Sequence, residues 1–345
     1  MGGGMGGGMG NAAASPLVAS ALIQSRAALS GPFQGATLPL DVPEPLDKPG
    51  RLAHWAAGPR TAACEMELLS GIHLAADTRK DALTLSFVDL AEKPLKSQVL
   101  VKLVRPGAKI FRQQLELVAN YAELRADRGS EVLAQTTGVL DFFASIVDLQ
   151  AHRHKYTLEV IALAMTLAMD VGMRIKHACA CQRPSQLSPQ IQTMIPVPGH
   201  ASWPSGHATE SFMAAALLQA LLQSASQSGE EYKEQLQRLA ARVAVNRTVA
   251  GLHFPVDSAA GRLLGRALGD FFVARCTGGK LHERGFDGRK FHDEHGHAVD
   301  FDLRVSMTDN QSGYYQLMAS ARSVAASPLM AFMWSKAVEE WQPIQ

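Results

Sequence analysis

The chain of 345 residues has almost no excess of charge of either sign, with 33 Lys and Arg against 32 Asp and Glu and a formal net charge of +1. So balanced a chain sets up no long-range field for a polyanion or an anionic bilayer, and neither nucleic acid nor a membrane is expected as a partner. Any attraction for an anion has to be local. Cysteine is scarce, four in all: Cys64, Cys179, Cys181 and Cys276. They form no disulfide ladder, and Cys179-Ala180-Cys181 is too tight for a paired zinc-ligand knuckle. Long apolar runs are missing too. Leu158 to Met169 and Phe212 to Leu222 reach about a dozen residues each, against the roughly 20 a span needs. The start, MGGGMGGGMGNAAAS, has neither the basic nor the apolar region of a secretion signal; it is of low complexity and expected to be disordered. Without a disulfide framework or a signal, the expected location is a reducing one, the cytoplasm.

What is present is an ordinary, somewhat apolar globular composition, 47% hydrophobic and 19% charged, with length for one large domain or two modest ones. Residues 1–60 are weakly patterned: Ala12 to Leu29 suits a small helix, and Pro39, Pro43, Pro45 and Pro49 break the stretch that follows. From Ala62 the helical period takes over. Met66, Leu68, Leu69, Ile72 and Leu74 suggest one helix, 109–125 a second and 132–149 a third. Leu83-Thr84-Leu85-Ser86-Phe87 alternates as a strand would, but Pro94 interrupts the stretch and its surroundings favour helix. A long helix over 156–181 ends ahead of Pro184. Ser205 caps the next, to about Leu222; Glu231 to about Gly251 and Pro255 to Cys276 follow. Gly261 and Gly265 lie four apart on the last of these and permit a neighbour to approach closely. No internal repeat stands out. The expected architecture is all-α, a helical bundle: a catalytic domain over 61–276, then a loop-rich tail over 277–345 ending in a helix packed on the same domain.

Three short blocks between Lys176 and Asp257 carry chemistry. Lys176 is followed by six residues and then Arg183-Pro184; at helical spacing both cations would share one face, a point charge and a planar fork suited to an oxyanion. Pro204-Ser205-Gly206-His207 opens an apolar run. A Ser-Gly turn at a helix N-terminus offers free N–H groups, a hydroxyl and no obstructing side chain, and His207 is placed to exchange a proton with what binds there. Arg247 precedes His253 by six positions, and Asp257 lies four beyond, where a carboxylate can reach back to one imidazole nitrogen and raise the basicity of the other. Taken singly, each block also suits an ordinary charged helix face, a serine cap or a His–Asp pair at a helix junction.

Together and in this order, the blocks resemble the three-part signature of the type 2 phosphatidic-acid phosphatase and vanadium-dependent haloperoxidase superfamily. The resemblance covers 176–257, about a quarter of the chain, and departs at Asn246, where many phosphatase members have Ser. It implies a bundle whose core holds phosphate or vanadate, with Lys176, Arg183, Ser205, Gly206 and Arg247 on the non-leaving oxygens. His253 would be the phosphohistidine nucleophile of a phosphatase or the axial vanadium ligand of a haloperoxidase, His207 the general acid and base, and Asp257 the group orienting His253. Pro198-Gly199-His200-Ala201-Ser202-Trp203 and Ala250 to Asp257 look like haloperoxidase versions, His200 standing where bromide-oxidising members carry a histidine and Trp203 directly ahead of Pro204. The leading expectation is therefore a vanadate enzyme oxidising bromide with hydrogen peroxide toward an organic acceptor, with Lys176 polarising the peroxo group. The alternative is an acid phosphatase acting through His253, and beyond it a non-catalytic phosphate-binding protein. Related enzymes form dimers or larger homo-oligomers. The cluster His292, Asp293, Glu294, His295 and His297, like His152 and His154, reads as polar loop rather than metal site.

Overall fold

The computed structural model describes residues 15–32, 34–35, 45–90, 94–226, 229–305 and 312–342. The low-complexity start, Pro39 and Pro43 lie outside them. The chain divides into two compact units, Met1–Ala63 and Cys64–Gln345. In the first, α1 (Pro16–Ser30) begins on a proline, and a 3-10 turn over Pro49–His54 is tied by Arg60, which donates to the Leu52 and Trp55 carbonyls at 2.9 and 3.1 Å. Helix α2 spans Ala57–Leu69.

The second unit is not all-α. Among the described residues it carries a five-stranded sheet in the order β1 (Ile72–Asp77), β2 (Ala82–Asp89), β3 (Lys96–Val104), β4 (Gly279–Asp287), β5 (Tyr315–Val324). The all-α expectation fails at three places: two short strand segments take the helical reading of their surroundings, and two strands lie in the tail expected to be loop. Ile72 and Leu74 belong to β1, not to the helix of Met66 and Leu68. The alternation of Leu83, Leu85 and Phe87 was a true strand signal, and all three side chains are buried. The tail supplies β4 and β5 rather than loop. Neighbouring strands pair antiparallel except β3 and β4, which run parallel with Val101 opposite Arg284 and Val104 opposite Asp287. That pairing closes across some 180 residues of chain, a distance at which no local pattern acts.

The helices between the strands are α3 (Ala108–Asn120), α4 (Arg125–Ala134), α5 (Val139–Val147), α6 (Lys155–Cys179), the single turn α7 (Pro184–Leu187), α8 (Gly206–Ser226), α9 (Gly229–Val249) and α10 (Pro255–Thr277); α11 (Pro328–Glu339) follows β5. The expected helix over 132–149 is two helices, parted at Gly138. Helix α6 stops earlier than Pro184 demands, because Ala180 turns left-handed at φ 49° and its N–H returns to the Lys176 carbonyl. Helices α6, α9 and α10 pack around α8, and the sheet lies on α10 with the Phe87 and Phe271 rings 5.0 Å apart. Helix α8 meets α10 along Gly261, Gly265 and Gly269. A Cβ on Gly261 would stand 2.7 Å from the Ser205 carbonyl oxygen, and one on Gly265 2.3 Å from that of Thr209. Backbone-to-backbone approach along this stripe sets the Ser205-Gly206 turn directly on α10.

Candidate active site

The site is built where three chain reversals meet at one end of α6. Lys176, on the last turn of α6, is 1% exposed and donates to the Ala201 and Ser202 carbonyls at 3.0 and 2.7 Å, which leaves one of its three N–H groups. Burial brings its pKa down to about 7, with Asp257 opposing the fall and Arg183 adding to it. Arg183 does not share a helix face with Lys176, as spacing suggested: α6 has ended, and Arg183 sits in extended backbone ahead of α7. The reversal at Ala180 nonetheless returns it to the same place. Its guanidinium is held by the His200 and Leu252 carbonyls at 3.1 and 2.9 Å, and stands 3.4 Å from His253 Nε2 and 3.3 Å from His200 Nδ1.

Ser205 precedes α8 as its sequence predicted. It is fully buried, its own N–H donates to the Asp257 carbonyl at 2.9 Å, and its Oγ accepts the Ala208 N–H at 3.4 Å. The N–H groups of Gly206 and His207 open the helix and have no carbonyl within it to bond. A Cβ on Gly206 would meet nothing nearer than Glu210 Oε1 at 3.7 Å, so the protein's own groups leave the turn open. His207 Nε2 lies 3.2 Å from the Gln135 carbonyl, which places the proton on Nε2. Burial, with Arg247 adding to it, lowers the His207 pKa to about 4.

Arg247 and the His253–Asp257 pair close the cage. Arg247 is wholly buried on the last turn of α9, and one of its terminal nitrogens donates to the Val132 carbonyl and to Gln135 Oε1 at 3.0 and 3.1 Å. Its Nε and NH1 are buried with no partner. Burial lowers its pKa to about 10, so it stays charged at neutral pH. His253 Nδ1 lies 2.9 Å from Asp257 Oδ2, which also accepts the Phe254 N–H at 3.1 Å and the Ser202 hydroxyl. A proton on Nδ1 leaves the lone pair on Nε2, toward Arg183. Burial holds the His253 pKa well below that of a free imidazole, with Lys176 and Arg183 reinforcing the shift, and raises that of Asp257 to about 6.

The structure therefore brings together Lys176, Arg183, Ser205, Gly206, His207, Arg247, His253 and Asp257, with His200 at their edge. Trp203 makes no hydrogen bond to any of them: it is fully buried, its indole N–H has no partner, and its ring is 6.4 Å from Phe286 of β4. Sequence reading missed four supports. Ser202 bonds both His253 and Asp257. Gln135 holds Arg247 by its side chain and His207 by its carbonyl. Glu131 accepts from Gln135, from Asn246 at 2.9 Å and from Arg242 in a two-armed pair. Asn246, the departure from the signature, also donates to Gln135 Oε1 at 3.0 Å and so braces Arg247's partner. Ser202 and Asn246 stood within or beside the motifs; Glu131 and Gln135 lie more than 100 residues before Arg247, with nothing local to mark them.

Among the described residues no group of three or more His, Cys, Asp or Glu could hold a metal ion, and no helix is long and apolar enough to cross a membrane. All four cysteines are free and buried.

Residues 158–277, which hold all three blocks, match the PAP2 superfamily model. Among solved structures, a transmembrane PAP2-type phosphatidylglycerolphosphate phosphatase from Bacillus subtilis aligns at 15% identity and a TM-score of 0.31, over 65% of this chain and 93% of that one. No curated protein matches. Neither match names a haloperoxidase.

Proposed function

We propose that this protein is a phosphatase-type enzyme that hydrolyses phosphomonoesters through a phosphohistidine on His253. The observation that carries the reading is the pairing of a deprotonated His253 Nε2, fixed by Asp257, with an Arg247 guanidinium whose Nε and NH1 have no partner in the protein. Buried donors without acceptors are costly, and a tetrahedral oxyanion is the ligand that would satisfy them. Arg183, Arg247, the remaining Lys176 N–H, the Ser205 hydroxyl and the first N–H groups of α8 all converge on it. Three cations would offset the two negative charges of a phosphomonoester and the charge that develops during transfer.

His253 Nε2 would attack phosphorus as the ester P–O bond breaks, with Asp257 stabilising the proton on Nδ1. His207 would give its proton to the leaving oxygen; an anion beside it offsets Arg247 and raises its pKa from about 4 toward the working range. In the second half, water attacks phosphorus, the P–N bond breaks and His207 takes the water's proton. Hydrolysis of p-nitrophenyl phosphate that disappears in His253→Ala, together with an acid-labile phosphoryl group on the wild type alone, tests this. A phosphorylated His253→Ala enzyme would sink it.

A second reading is favoured by one contact, His200 Nδ1 at 3.3 Å from Arg183, at the edge of the cage. Vanadate has phosphate's shape and charge, and the donors that fit one fit the other; His253 would be its protein ligand through Nε2. When bound it would supply Lewis-acid activation of hydrogen peroxide. In the first reading vanadate only inhibits phosphate release, whereas in the second it supports bromination of a phenolic dye that is lost in His200→Ala.

A further inference from the structure

Glu210 has no part in the chemistry above. It lies on α8 one turn beyond Gly206, and helical side chains lean toward their N-terminus, which carries this carboxylate back over the helix's first turn. Its Oε1 stands 3.7 Å from where a Cβ on Gly206 would be, beside the turn that an oxyanion would occupy. No hydrogen bond or ion pair of the described residues engages it. Lys176, Arg183, Ser205, Arg247 and His253 are exposed by 4% or less, whereas Glu210 keeps partial exposure together with Gly206 and His207. It therefore stands on the side of the cage that solvent reaches.

A carboxylate in that position would repel an incoming anion, whereas a carboxylic acid would donate a hydrogen bond to it. We propose that Glu210 is a specificity residue that contacts the bound oxyanion as the neutral acid, so that each tetrahedral oxyanion entering the cage draws a proton from solvent with it. The inference rests on the reading of the cage as an oxyanion site. It selects for ligands whose oxygens accept a hydrogen bond beside the helix terminus, and it makes anion affinity fall as pH rises.

The charges around Glu210 agree. Burial raises its pKa, and Lys176, across from it on α6, is the one charged group that opposes the rise. The charged site residues of the other two packed helices act elsewhere: Arg247 on α9 bears on His207, three residues before Glu210 on its own helix, and Asp257 on α10 bears on Lys176. A second negative charge at the turn would push the Glu210 pKa further up, the behaviour of two acids sharing one site.

The test uses the whole protein and sulfate, which remains a dianion throughout the neutral range, so that protons taken up on binding belong to the protein. Calorimetric titration near pH 7, in buffers of different ionisation enthalpy, counts them. The expected result is that wild type takes up more protons per sulfate than Glu210→Gln, by about half a proton or more. Glu210 itself raises the Lys176 pKa, so the same comparison is made in a Lys176→Arg background, where that position keeps its charge and cannot titrate. Sulfate binding with equal uptake in the two proteins overturns the inference and leaves the cage intact. Absence of sulfate binding in both overturns the oxyanion reading itself, and Glu210's role with it. Should circular dichroism show Glu210→Gln unfolded, Glu210→Ala carries the same expectation.

Discussion

Two parts of this molecule gather histidines with charged residues, and they differ in what surrounds them. In the loop around His292–His297, Asp293 accepts the His295 and His297 N–H groups at 3.0 and 2.7 Å and faces His297 Nδ1 at 3.1 Å. The side chains of His295 and His297 are 70% and 74% exposed. The charged attractions of its histidines are local and water screens the rest, while one distant tie, from Gln113 Nε2 to the Gly296 carbonyl at 2.9 Å, holds the backbone. In the cage, Arg247 and Asp257 are 0% exposed, Lys176 and Arg183 1%, and two nitrogens of Arg247 have no partner. The loop has the denser sequence, five ionisable residues in six; the cage draws its groups from four helices and the turns between them. Density along the chain marks where side chains satisfy one another. Burial with donors left over marks where a ligand is required.

Breaking the cage should therefore cost far more than breaking the loop. The largest effect is expected from His253→Ala, which removes the proposed nucleophile and should lower kcat for p-nitrophenyl phosphate by about four orders of magnitude or more, with the fold retained by circular dichroism. Arg247→Met removes the guanidinium with unpartnered nitrogens. It should reduce kcat/KM by about two to three orders of magnitude, as losing one buried oxyanion donor does, and weaken vanadate inhibition in parallel. Gly265→Ala attacks the frame: a Cβ 2.3 Å from the Thr209 carbonyl forces α8 off α10 and should destabilise by about 1–3 kcal/mol or more in urea denaturation.

A subtler effect lies in pH. Lys176 titrates near 7 because burial disfavours its charge, so it is cationic below that pH and loses its charge above it. Asp257, raised to about 6 by burial, is ionised above that pH and protonated below it, where its hold on the His253 tautomer fails. The profile of kcat/KM should be a bell between these two limits, and Lys176→Arg should extend the alkaline side upward. The smallest effect is expected from His295→Ala with His297→Ala: activity unchanged and stability within about 0.5 kcal/mol of wild type. A large loss of activity there would erase the distinction between the two regions.

The helices that present the cage were legible because each carries its own punctuation. Pro255 opens α10, Ser205 precedes α8, and a run of apolar residues fills each buried side. The strands were not, since six to ten alternating residues give a short signal that helical neighbours overwhelm. β4 and β5 lay in a stretch that composition alone assigned to loop. Trp203 beside Pro204 makes no hydrogen bond to the cage and lies fully buried near Phe286.

By itself the sequence determined the chemical groups of the cage, their order and the His253–Asp257 pair, because a carboxylate four residues along at a helix start can reach back to an imidazole whatever the rest of the chain does. The spacing of Gly261 and Gly265 likewise determined that α10 could be approached closely. Only the tertiary structure decided how Arg183 reaches its place, through the left-handed turn at Ala180 rather than along a helix face. It alone joined β3 to β4 and set Gln135 behind both Arg247 and His207. Those contacts link residues many turns apart, where the free energy of burial, and not any local preference, selects the partner.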